Sequence, residues 1–175
     1  MNYQMLIAPP AEETLSSYYR SYSKYIPEED LLDALSNATA EIEVFLKLIP
    51  KEREEFRYAE GKWMLKEVIG HICDTERIMA YRALRIARND KTPLAGFEEN
   101  DYVKSSNFYK RNLNSIGVEY LLVREASIAL FTSLEEEDFD KFGTANDNPI
   151  SVRAILFMII GHQRHHFNVI KERYL

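Results

Sequence analysis

The sequence predicts an all-α protein, a four-helix bundle, on three observations. Glycine and proline are sparse, six of each in 175 residues, so long stretches run without a helix breaker. Apolar residues within those stretches recur at intervals of three and four, the period of one buried helix face. Segments carrying Pro, Gly, Asn and Asp divide the stretches into four. A chain of this length suits a single domain and buries a sizeable core without staples.

The first helix is expected to start near Pro27-Glu28-Glu29-Asp30, where a proline and three acids suit a helix N-terminus, and to run to Ile49 before Pro50. Its inward stripe is Leu35, Ala38, Ile42, Phe45 and Ile49. Residues 1–27 precede it as an N-terminal extension, and residues 28–175 form the bundle domain. The second helix is expected over Met64–Arg88, with Met64, Val68, His71, Thr75, Ile78 and Arg82 along one face. Residues 89–115 hold Pro93, Gly96 and several asparagines, so they read as a long connection with one short helix. A link of that length permits the helices it joins to lie parallel.

The third helix is expected over Gly117–Leu134, with Tyr120, Val123, Leu130 and Leu134 inward. The acids Glu135 to Asp138 and the turn-rich run Gly143 to Pro149 follow it. Ser151 is then a good N-cap and Ile150 can pack on Ile155 as a hydrophobic staple, which starts the fourth helix at Val152. Its stripe reads Ile155, Ile159, His162, His166 and Val169.

His162 and His166 are four apart, so their imidazoles share one helix face a turn apart. With His71 from the second helix, three nitrogen ligands can converge on one ion and leave a coordination position open, the pattern of a catalytic metal site. The plainer alternative is a set of hydrogen-bonded core histidines. Both His162 and His166 replace apolar residues in a helix seam, where an unpaired ring is costly to bury, and bundle interiors are common places for metal sites.

Composition excludes several classes. A net charge of −6 offers no basic surface to phosphate backbones, so no nucleic-acid partner is expected. The longest apolar run, Ala154 to Ile160, is too short to span a bilayer, and the N-terminus lacks a basic segment followed by a long apolar core. Neither membrane association nor secretion is expected. The single cysteine, Cys73, allows no internal disulfide and suits a reducing cytoplasm.

Three words in the first half and three in the second carry a resemblance. Tyr58-Ala59-Glu60-Gly61-Lys62-Trp63, Gly70-His71-Ile72-Cys73-Asp74-Thr75-Glu76-Arg77 and Tyr81 through Arg88 resemble the DinB superfamily, as do Gly143-Thr144-Ala145-Asn146, Ser151-Val152-Arg153-Ala154 and Gly161-His162 through His166. The likeness covers residues 28 to 175. It implies an up-down-down-up bundle, a divalent metal such as zinc or nickel on His71, His162 and His166, and frequent homodimers. It also implies a small-molecule substrate: members resemble thiol-dependent S-transferases that join a low-molecular-weight thiol to an electrophile, mycothiol-dependent isomerases, or metal-dependent hydrolases that use hydroxide on the metal. A metal-stabilised binding or stress-response module without turnover is the non-enzymatic alternative.

Other residues carry smaller expectations. Met64 stands where the family usually has a small hydroxyl residue capping the second helix, so the cap is expected to shift or be lost. Gln163 stands where an HExxH hydrolase has its glutamate base, which favours thiol over water activation. Asp74 is either the outer hydrogen-bond partner of a ligating imidazole or a surface acid paired with a nearby cation. Arg82 could hold a carboxylate of an anionic thiol at the pocket mouth; otherwise it and Arg85 form solvated ion pairs. Cys73 reads as a small packed hydrophobe, and His165 as facing solvent or a subunit contact. Tyr102, Phe108 and Tyr109 line a lid or pin the connection to the bundle.

Overall fold

A computed structural model of the chain describes residues 5–175; residues 1–4 of the N-terminal extension lie outside them. In chain order the helices are α1 (Ser17–Arg20), α2 (Leu31–Lys47), α3 (Leu65–Ala87), α4 (Glu99–Ser105), α5 (Leu113–Thr132), α6 (Glu136–Phe139) and α7 (Val152–Arg173). A two-stranded hairpin, β1 (Phe142–Ala145) and β2 (Asn148–Ser151), precedes α7.

The long helices α2, α3, α5 and α7 form the bundle, and side-chain contacts set their directions. Glu54 accepts from the backbone of Lys66 through its carbonyl and of Leu113 through its carboxylate, joining the starts of α3 and α5. Further along, Glu76 meets Arg124, so α3 and α5 run parallel. Tyr174 at the end of α7 donates to Trp63 just before α3, which makes α7 antiparallel to α3. Gln163 reaches Ala38 and Phe167 stacks on Phe45, so α2 and α7 run the same way. The result is the up-down-down-up order, with residues 88–112 as the long link between parallel neighbours.

The predicted stripes of α2 and α7 are largely the buried ones: Leu35, Ala38, Ile42, Phe45, Ile155 and Ile159 are all buried. Ser151 caps α7 by accepting from the Ala154 amide. At α3 the Met64 side chain makes no cap bond, and Glu67 instead accepts from the Met64 amide at 2.7 Å. The α5 stripe needs correction. Val123 and Leu130 are only half-buried, and the inward line is Ile116, Tyr120, Arg124, Ser127 and Phe131. Its charged member is hidden because Glu76 on α3 supplies a matching carboxylate in the core.

The turn-rich run before α7 is a hairpin rather than an open loop. Asn146 and Asp147 adopt φ of +50° and +59°, a conformation these residues tolerate best after glycine and one that closes a two-residue hairpin. Asn146 N–H donates to Leu94 and Leu94 N–H to Thr144, so the hairpin holds the long connection against the bundle. Phe108 in that connection is buried on α3, where a Cβ at Gly70 would overlap its ring. The N-terminal segment also packs on the core through Ile7, Leu15, Tyr22 and Ile26.

Two apolar clusters fill the interior. One gathers Leu31, Ala83, Phe131, Ile155 and their neighbours; the other gathers Ile42, Ile69, Ile116, Phe167 and theirs. Three of the long helices, α3, α5 and α7, also bury polar side chains, among them His71, Glu76, Arg124, His162 and Gln163, and α2 meets them through its Ala38 carbonyl. No helix among the described residues is long and apolar enough to cross a membrane.

Candidate metal centre

The polar layer brings the three predicted histidines together. On α3 and α7, His71 Nε2 lies 3.1 Å from His162 Nε2, which lies 3.1 Å from His166 Nε2. Ligand atoms of all three fall within 4.8 Å of one another. His71 and His162 are buried and His166 is partly exposed. Glycine precedes two of the three for a packing reason. A Cβ at Gly161 would stand 2.5 Å from Tyr22 Cβ, so Gly161 lets the N-terminal segment close over α7 beside His162 as Gly70 lets Phe108 close over α3. A helical glycine costs about 1 kcal/mol relative to alanine, so the close approach has to offset it.

Burial keeps the rings uncharged. Desolvation lowers the His71 pKa to about 4. Desolvation and then the neighbouring histidines hold His162 and His166 well below the usual histidine range. Near neutral pH all three therefore present unprotonated imidazoles with Nε2 atoms facing one another. Nitrogens bound tetrahedrally at 2.0–2.1 Å from a zinc-like ion lie about 3.3 Å apart. The donor set, its protonation and its spacing thus suit a divalent cation.

One carboxylate that sequence reasoning missed stands beside the trio. Glu99, in the first turn of α4, places Oε2 3.9 Å from His71 Nε2. Desolvation, then Glu98, raises its pKa. Nothing local marks Glu99 among the acids of residues 98–101; only the folding of the connection brings it here. Gln163, by contrast, is absent from this face: its side chain bonds Tyr120, Arg124 and the Ala38 carbonyl.

Asp74 pairs with Arg77 at 3.4 Å, and among the described residues it makes no hydrogen bond to an imidazole. It is the cation-paired acid, not the outer partner of His71, because its side chain points toward α5, where Arg77 also meets Glu119. Cys73 is buried among apolar side chains, and its thiol is pushed up to about 12 by desolvation. His165, expected to face solvent or a subunit contact, is half-buried and packs against the rings of Tyr22 and Tyr25. Arg85 pairs with Asp90 at the end of α3. Arg82 is buried, donates to the Ala95 carbonyl at 2.7 Å, and has no ion-pair partner among the described residues.

Two cavities meet at the centre. One, of about 220 Å³, touches His71, His162, Thr75, Arg82, Phe97 and Glu99. The other, of about 320 Å³, touches His166, Trp63, Tyr58, Tyr174, Lys62 and Glu99. Glu99 lines both. Tyr102 and Tyr109 are exposed and line neither, while Phe108 pins the connection to α3.

The chain belongs to the DinB superfamily, whose family model matches residues 34–170. Among solved structures it is similar to YfiT from Bacillus subtilis, described as a probable metal-dependent hydrolase with an unusual four-helix bundle topology. That similarity has a TM-score of 0.73 and 16% identity over 94% of this chain and 91% of that one. It is also similar to the mycothiol-dependent maleylpyruvate isomerase, with a TM-score of 0.67 and 14% identity over 83% of this chain and 61% of that one. No curated protein matches the sequence.

Proposed function

We propose that the chain is a divalent-metal-dependent enzyme that transfers a low-molecular-weight thiol to an electrophile, with His71, His162 and His166 as the metal ligands and zinc or nickel as the ion. The observation that carries this reading is the pair of cavities converging on the histidines from either side of Glu99. A thiol transfer needs two organic reactants at one centre, whereas hydrolysis needs one and water. The similarity to a mycothiol-dependent isomerase supports the same reading.

An ion held by three neutral imidazoles supplies Lewis acidity, which favours the deprotonated form of a bound thiol near neutral pH. The protein's own groups do the rest. Glu99 is within reach to accept the S–H proton. The sulfur lone pair then forms the bond to carbon while the leaving group departs with its electron pair and takes the proton from Glu99. Trp63, whose ring lies 4.8 Å from that of His71, helps to exclude water.

Glu99 also gives a specific reason for a second reading, metal-dependent hydrolysis, because a carboxylate base next to the trio is what Gln163 does not provide. A thiol panel with monochlorobimane, run beside an ester panel, separates the two. Turnover with a thiol but no ester, lost in His162→Ala and lowered at least about tenfold in Glu99→Gln, is the expected result. Ester cleavage without thiol transfer would replace the first reading by the second. No turnover in either panel, with a large fall in melting temperature on chelation, would leave a structural metal module. Elemental analysis of untagged protein identifies the ion.

A further inference from the structure

The cavity on the His71 and His162 side holds polar groups whose bonding capacity the fold leaves largely unused. The Arg82 side chain is 4% exposed, yet among the described residues it meets no carboxylate: it donates to the Ala95 carbonyl, approaches the Met79 sulfur at 3.7 Å and lies over the Phe97 ring. A guanidinium carries five donors in a fork suited to a carboxylate, and a buried cation is normally paired. Thr75 is likewise 4% exposed, and its Oγ1 has no hydrogen-bond partner among the described residues. Thr75, Met79 and Arg82 follow His71 at helical spacing and line the same cavity. Glu99, the carboxylate on its wall, faces His71 and makes no ion pair with Arg82.

We infer that this cavity is a subsite for one small carboxylate-bearing molecule, its carboxylate held by the Arg82 guanidinium and the Thr75 hydroxyl and its other end directed at His71, His162 and Glu99. The inference deepens the transfer reading by naming the thiol partner as a short mercapto acid. About 220 Å³ is below the roughly 300–1,000 Å³ of pockets that take drug-sized ligands, so the occupant has only a few carbons. The Ala95 tether does not explain the arrangement, since that bond uses one of the five donors and needs no charge.

The test is calorimetric titration of the full-length protein, metal-free and zinc-loaded, with 3-mercaptopropionate and with its neutral amide. In both forms the acid should bind at least about tenfold tighter than the amide. Arg82→Gln should bring the two within about twofold of each other, the larger loss falling on the acid. Equal binding of the two probes to the wild-type protein, or a preference that survives Arg82→Gln, would overturn the inference. If circular dichroism shows that Arg82→Gln is unfolded, Thr75→Val decides: the preference should shrink about threefold or more, and an unchanged preference would overturn it. Zinc dependence is read separately, from how much loading tightens both probes together, so a failed metal reading is distinguishable from a failed subsite.

Discussion

Two buried polar clusters sit side by side in the middle of this bundle, and they are built on opposite terms. In one, Arg124 makes two 2.8 Å bonds to Glu76, Gln163 bonds Arg124, Tyr120 and the Ala38 carbonyl, and Arg124 Nη1 alone lacks a partner. In the other, three neutral imidazoles turn the same nitrogen toward one another, with an unpaired Thr75 hydroxyl and an Arg82 guanidinium that meets no carboxylate among the described residues on the adjoining wall. The first cluster closes on itself across all four helices and so specifies their arrangement. The second opens on the cavities beside it. A buried polar group that finds partners within the fold is a structural element, and one that does not marks a site.

Breaking the closed cluster should have the largest effect. Arg124→Met strands the Glu76 carboxylate in the core and should cost about 3–5 kcal/mol in urea unfolding, with Glu76→Gln added to it restoring part of the loss. Breaking the open cluster should behave differently. His162→Ala should leave the metal-free protein near wild-type stability but remove ion binding, so that zinc at about 100 times its Kd, which stabilises the wild type by about 2.7 kcal/mol, no longer raises the melting temperature. A shift on zinc addition in the variant equal to that of the wild type would equate the two clusters.

The same helix offers a pH contrast. The Arg164 hydrogen bond lowers the Glu28 pKa to about 2 from 4.5. A depressed carboxylate stabilises the fold above its unfolded pKa and loses that contribution as pH falls through the folded one. Between pH 5 and pH 2 the wild type should therefore lose about 2 to 3 kcal/mol that Glu28→Gln never had, and the two unfolding curves should converge. The smallest effect is steric. Gly161→Ala gains helix propensity but drives a Cβ into Tyr22, and a net loss of about 1 kcal/mol is expected, with faster proteolysis of the N-terminal segment as its signature.

The five residues His162-Gln163-Arg164-His165-His166 meet four environments: the trio, the closed network, the Glu28 and Glu41 carboxylates, the Tyr22 and Tyr25 rings, and the trio again. Helical spacing made His162 and His166 legible because they share a face with Ile155 and Ile159. Gln163 stands at the HExxH glutamate position along the chain, but what it meets, Tyr120, Arg124 and the Ala38 carbonyl, is determined by its neighbours and not by its own period. Arg124 was passed over for Val123, although Tyr120, Arg124, Ser127 and Phe131 also repeat at four, three and four. A charge counts against burial until its partner is known, and that partner is 48 positions away.

By itself the sequence determined the four long helices, the Ser151 cap, the family and the inward placement of three histidines, since all of these rest on local period and on short words read within one element. The tertiary structure alone decided that Glu99 would stand beside His71, that Asp74 would not, that Arg82 would be buried with no counter-ion among the described residues, and that a hairpin would hold the long connection in place. Those outcomes depend on which distant surfaces meet when the core closes, and periodicity along one helix carries no information about that.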